Sequence, residues 1–328
     1  MSEVGTVPGR AVMFVGGADE PRVEGTLRAH GLEVISPVDP SMSPRERVAV
    51  TVIDPATLPN GAEDLRDLAA ALCGTPVVVL GGPSGRETLI DWIDVPEVCA
   101  VVARDHVHSD TELQRALDAI VEGPRFDLDA HLDPQMARFE TSFAASQERE
   151  RVLDQLVAFF AEHDVRARIS QTAVTAAEEL VTNALYDAPT DADGRRLYAE
   201  IDRRHAVFLG AAARPTLYAG IDASELVVSV RDPHGSLTIE TVKHYLAKGL
   251  RAGPDQIDAK RGGAGLGLAR IFAMVDRMSV FVAPGRMSEV SLSLSLRGAR
   301  RDMAHRPTGL LLASIPQPAG APGAAATE

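Results

Sequence analysis

Of the 328 residues in this chain, two are cysteine, one is tryptophan and three are lysine, and aromatic residues make up 4%. Two cysteines cannot build a disulfide framework. Cys73 and Cys99 each sit in an apolar run and are expected to be buried thiols of a reducing compartment. No histidine or cysteine cluster has the spacing of a zinc site. No apolar stretch approaches the length that crosses a membrane, and MSEVGTVPGR lacks the apolar core of a signal peptide, so a cytoplasmic location is expected. Positive charge is also scarce. Against 46 acids there are 33 Lys and Arg, for a net charge of −13, which argues against nucleic acid as the main partner.

Glycine is abundant where it matters. The segment KRGGAGLGLARIF, residues 260–272, runs from glycines directly into an apolar helical pattern. Without a Cβ, Gly262, Gly263, Gly265 and Gly267 let backbone approach an anion closely, and a helix starting near Leu266 would aim free N–H groups at it. Neither a P-loop nor a dinucleotide fingerprint is present.

Two further segments precede it. AAEELVTNALYDA, residues 176–188, carries the 3.6-residue period of an amphipathic helix, with an N-cap expected at Ser170. Val174, Ala177, Val181 and Ala184 make its apolar face. Glu179, Asn183 and Asp187, spaced four apart, make a polar stripe on the other side. A carboxylate there can take a proton, and an amide oxygen can ligate Mg²⁺. SELVVSVRDPHGS, residues 224–236, is a β-branched run that reads as a buried strand ending in an acid, Asp232. The three lysines, Lys243, Lys248 and Lys260, fall between this strand and the glycines, where a flexible ammonium would serve as a phosphate point charge.

Taken in this order, the segments resemble the Bergerat (GHKL) ATP-binding fold of gyrase, heat-shock chaperones, histidine kinases and mismatch-repair ATPases. EELVTNAL is most similar to the anti-sigma-factor serine kinases of bacterial partner switching. The resemblance covers about residues 137–298. It implies an α/β sandwich with ATP held between helices and a mobile lid at 236–261. It also implies Asn183 as Mg²⁺ ligand, Glu179 as base, Asp232 as acceptor from the adenine amino group, Gly235 as a close approach to the base, and Gly263, Gly265 and Gly267 along the phosphates. Asp187, Lys260 and Leu266 join these as binding residues. In the family, His often stands where Asp187 is, and the first glycine box is commonly DxGxG, where this chain has Ser236 and Leu237 after Gly235.

The first 123 residues read as a separate unit. Apolar runs at 11–15, 48–53, 76–80 and 98–103, with a weaker LEVISPV, alternate with helical stretches at 21–30, 62–73 and 110–122, which predicts a doubly wound parallel sheet. Acids at Asp19, Glu20 and Asp54 make it similar to a receiver domain of the flavodoxin-like type. Its chemistry is degraded. The family spacing back from Leu58-Pro59 lands on Pro55, Gly81 and Gly82 replace the switch hydroxyl, and Arg104 stands near the place of the lysine. A pseudoreceiver for dimerisation or partner binding is expected.

Residues 124–136 read as a linker, and QERERVLDQLVAFFAEH as a helix burying Val152, Leu156, Phe159 and Phe160. Residues 204–222 suggest an extended hairpin, and 299–328 a low-complexity tail. The function expected is an ATP- and Mg²⁺-dependent regulator that phosphorylates Ser or Thr on a partner protein, such as a sigma factor, an anti-sigma antagonist or another signalling protein. A histidine-kinase-type core acting on a separate protein and a non-catalytic, ATP-dependent binding module remain open beside it, and so does a homodimer.

Overall fold

The computed structural model describes residues 11–16, 20–35, 48–72, 74–81, 89–103, 109–252, 266–297 and 308–315. The protein is mixed α/β and divides into two compact units, Met1–Pro124 with Ala304–Leu312 and Arg125–Met303 with Ala313–Glu328. No described helix is long and apolar enough to cross a membrane.

In the first unit, strands β1 (Ala11–Val15), β3 (Val48–Ile53), β4 (Val77–Gly81) and β5 (Val98–Ala103) come from the four strong apolar runs. Strands apolar along their whole length suit a sheet covered on both faces. Val12, Val50, Val52, Val77, Val78 and Val79 are all fully buried, each worth roughly 1.5–3 kcal/mol of transfer free energy. From LEVISPV, the described strand β2 is Glu33–Ile35. Every neighbouring pair in the order β2-β1-β3-β4-β5 is parallel. Parallel neighbours need crossovers; helices α1 (Glu20–Ala29), α2 (Ala62–Ala71) and α3 (Leu89–Ile93) lie in those connections, and α4 (Ser109–Val121) follows β5.

The low-complexity tail expected over 299–328 is corrected at 309–314. Strand β11 (Gly309–Ser314) buries its first five residues and pairs Leu310 and Leu311 antiparallel with Val101 and Ala100 of β5. Cys99 is only half-buried, its thiol 3.3 Å from the Val77 carbonyl. Cys73 lies outside the described residues.

The second unit carries strands β6 (Ala137–Ser142), β7 (Thr216–Ile221), β8 (Glu225–Asp232), β9 (Arg277–Ala283) and β10 (Met287–Ser295). They pair antiparallel in the order β9-β10-β8-β7-β6. MSEVSLSLS alternates with a period of two, so Val290, Leu292 and Leu294 share one face with Val230, Val228 and Leu226 across the ladder. Helices α5 (Arg149–Glu162) and α6 (Ala167–Tyr186) pack on the sheet. Helix α5 buries Val152, Leu156, Phe159 and Phe160, and Phe159 stacks on Phe139 of β6 with ring centroids 5.4 Å apart.

The opposite face is polar yet buried, and several of its groups pair with one another. Arg231 Nε donates to Glu289 at 2.7 Å, Arg277 to Ser293 at 2.7 Å, and Ser291 to Ser229 at 3.0 Å. Residues 124–136 are no free linker. Leu128, Leu132 and Met136 are buried and cluster with Val227. A Cβ on Gly220 would lie 2.6 Å from Leu132 and 2.9 Å from Met136, so the missing side chain is what lets this segment lie down. The hairpin expected at 204–222 is also corrected: in this stretch β7 begins only at Thr216, after a short 3-10 turn at Ala211–Ala213.

Candidate functional site

Helix α6 presents the polar stripe. It starts at Ala167, with Arg166 at the N-cap, so Ser170 lies one turn inside, its N–H bonded to the Arg166 carbonyl. Ala177, Val181 and Ala184 are buried as the period requires, whereas Val174 is only half-buried. Glu179, Asn183 and Asp187 are half-buried, so the stripe faces structure as well as solvent. Asp187 is the C-cap.

Strand β8 delivers Asp232 to its end, where the chain turns through Pro233 and His234 to Gly235. Asp232 Oδ1 accepts from the N–H of His234 at 2.9 Å and of Gly235 at 3.2 Å. Burial pushes its carboxyl up to about 6, against the pull of those two N–H groups. Gly235 has φ +60°, and a Cβ there would lie 2.4 Å from the Ala283 carbonyl and 2.6 Å from the N–H nitrogens of Arg286 and Met287. The close approach that requires glycine at 235 is therefore made to backbone of the β9–β10 turn.

Helix α8 (Leu266–Phe272) closes against α6. A Cβ on Gly267 would lie 1.7 Å from Glu179 Oε1, so the Glu179 carboxylate rests directly over Gly267. Burial raises the Glu179 carboxyl above the ordinary range, opposed by Arg270 and Arg203 and assisted by Asp187 and Glu178. Leu266 opens the helix, and Lys260, Gly262, Gly263 and Gly265 lie outside the described residues. Helix α7 (Ile239–Ala252) carries Lys243, half-buried, and Lys248, exposed. A Cβ on its Gly249 would lie 2.1 Å from Ala269 Cβ, so the small residue allows α7 to meet α8 closely.

These elements line one open cleft. Asn183, Asp187, Asp232, Ser236 and Arg196 supply its polar lining, and Leu180, Ala184, Val230, Leu268 and Val290 its apolar wall. Such a wall suits a flat uncharged ring, with Asp232 as the buried acceptor beside it. An amide oxygen such as that of Asn183 suits a hard cation that keeps other oxygen ligands. Among the described residues there is no group of three or more His, Cys, Asp or Glu that could hold a metal by itself.

No sequence pattern marks the basic residues beside the stripe. Arg203 Nη2 lies 2.7 Å from Asp187 Oδ2, and its guanidinium sits over the Tyr186 ring at 4.8 Å. Tyr186 is buried, with its hydroxyl 2.9 Å from the Arg203 carbonyl and 2.7 Å from that of His205. Burial still raises the Asp187 carboxyl, outweighing Arg203. Both arginines come from the irregular connection between α6 and β7, where no periodicity marks a residue as inward-facing. Ser236 also ties this region together, donating to the Ala188 carbonyl at 2.8 Å. No family model matches this chain, and no curated protein matches it.

Proposed function

We propose that the second unit is a Bergerat-type ATP-binding domain and that the protein is an ATP-dependent kinase acting on Ser or Thr of a partner protein. The observation that carries this is convergence. Three segments far apart in sequence, at 176–188, 232–237 and 266–268, meet around one cleft, with Asn183, Asp187 and Asp232 lining it and Glu179 resting over Gly267. The residues present fit ATP with Mg²⁺. The apolar wall and Asp232 suit adenine, and the amide of Asn183 suits the cation. When bound, ATP with Mg²⁺ would supply the transferable phosphoryl group and neutralise its charge.

The chain's own side chains then divide the work. Asp232 reads the adenine amino group, Asn183 holds the cation, and Glu179 accepts the proton of the attacking hydroxyl. A carboxylate raised by burial is a stronger base near neutral pH than an exposed one. Retention of that base, poised against α8, favours a kinase over a module that only binds nucleotide.

For the first unit we propose a receiver-like, flavodoxin-type role without phosphate acceptance. The all-parallel order β2-β1-β3-β4-β5 supports the resemblance. Asp54 is 2% exposed and caps the turn Pro55–Thr57 through the Ala56 N–H at 3.0 Å. That use of the carboxylate counts against phosphate acceptance, and a surface for partners or a second copy is the role proposed instead.

The test is titration calorimetry of the full chain with ATP and Mg²⁺, followed by incubation with γ-labelled ATP and cell lysate. Binding, with acid-stable label on a partner, is the expected result. Acid-labile, base-stable label would move the target to His, and absence of nucleotide binding would overturn the reading.

A further inference from the structure

Three carboxylates face or flank the cleft, from Glu179, Asp187 and Asp232, and an anionic ligand needs compensation there. Among the described lining residues Arg196 is the one cation. Arg203 cannot take this role freely, because it is committed to Asp187 at 2.7 Å and to the Tyr186 ring. It neutralises the acid that would otherwise repel phosphate.

The placement of Arg196 is built by its local backbone. Asp191 Oδ1 accepts from the N–H groups of Asp193 and Arg195, both at 2.9 Å, and the Asp191 N–H donates to the Arg195 carbonyl at 3.0 Å. Gly194, at φ +79°, makes the turn possible. Thr190 and Arg196 then pair as an antiparallel bridge, and Leu197 N–H closes on the Pro189 carbonyl at 2.9 Å. A small closed loop therefore carries an exposed guanidinium to the cleft wall beside Asp187, whose carboxyl feels its charge.

We infer that Arg196 is the phosphate-contacting cation of this cleft, presented by the 190–196 loop, and that it sets the preference for phosphorylated nucleotide over nucleoside. A guanidinium supplies paired donors to phosphate oxygens. The inference rests on the nucleotide reading above and deepens it by naming the residue that recognises the anion.

Calorimetry with ATP and with adenosine, on the wild-type chain, Arg196→Gln and Asp191→Ala, tests it. Arg196→Gln should weaken ATP by about tenfold or more, as loss of a charge-assisted hydrogen bond does, and leave adenosine unchanged. Asp191→Ala, which keeps the guanidinium but frees the loop, should give a smaller loss confined to ATP. Thermal melting checks that each variant folds. If wild type binds both ligands and their affinity ratio is the same in Arg196→Gln, this inference falls while the nucleotide reading stands. If wild type binds neither, both fall.

Discussion

The two units each end a buried strand with Asp followed by Pro, and the two acids make nearly the same local bonds. Asp54 follows β3 and accepts from Ala56 N–H at 3.0 Å, while Asp232 ends β8 and accepts from His234 N–H at 2.9 Å. Both are buried, at 2% and 8% exposure. Their surroundings separate them. Asp54 is taken up by a 3-10 turn, with its own carbonyl receiving the Thr57 hydroxyl at 2.6 Å, whereas Asp232 lines a cleft and has its carboxyl pushed up to about 6. An acid at a strand end is therefore a turn former by default. Asp232 becomes a candidate site because it also lines a cleft.

The strongest way to break this contrast is Asp232→Asn. The amide can keep the turn bonds through Oδ1 but brings a donor where an acceptor is proposed, so adenosine affinity should fall by about 10²-fold or more, measured by calorimetry. Stability should move the other way. The folded-state pKa of about 6 lies above the ordinary 3.8, so the folded chain holds the proton more tightly. Its contribution is fully present below about pH 4 and is lost as pH rises through 6, by up to on the order of 3 kcal/mol. Denaturant melts from pH 4 to 7 should show that loss in wild type and not in Asp232→Asn. Adenosine binding by wild type should weaken as pH falls through about 6, and an unchanged affinity would refute a role for the ionised acid.

Next in size are two routes to the same defect. Glu179→Gln should lower turnover by about 10²-fold while leaving ATP binding intact. Gly267→Ala should also lower turnover without unfolding the chain, because the new methyl meets the far end of the Glu179 side chain, which can swing away. Labelled-phosphate transfer and calorimetry on both variants check this, and normal turnover in Gly267→Ala would mean that the contact has no catalytic use.

The smallest effect is expected at Asp54. Asp54→Ala should cost about 1 kcal/mol of stability, as loss of a cap does, and leave nucleotide binding unchanged. Intact mass after incubation with acetyl phosphate should show no adduct. A stoichiometric adduct that disappears in Asp54→Ala would erase the contrast between the two acids.

Much of the fold was legible. Periodicity located the strong strands of the first unit, α5, α6 and β8, because their patterns are set by which face is covered. Three parts were hidden for physical reasons. The segment 124–136 carries few apolar residues, and what seats it is the absence of a side chain at Gly220, a sheet away. Strand β11 lies next to a low-complexity stretch, although GLLLAS is itself an apolar run and could have been read as a strand. At the site, the spacing of Glu179, Asn183 and Asp187 was readable from helix geometry. Arg196 and Arg203 were not, since a loop residue is aimed by turns such as that of Asp191 and Gly194, which leave no period in the sequence. The glycine run at 262–265 was the clearest motif, and it falls outside the described residues.

Strand β11 has a consequence for how the chain is made. Leu310 and Leu311 add to the sheet of the first unit, yet they leave the ribosome only after synthesis has run through Arg125–Met303. Until then β5 presents a bare edge, which is the kind of surface on which strands from other nascent chains add. The unit that is begun first thus waits for Arg125–Met303 to be made, and a premature stop before Gly309 would leave β5 open-edged for the lifetime of the product.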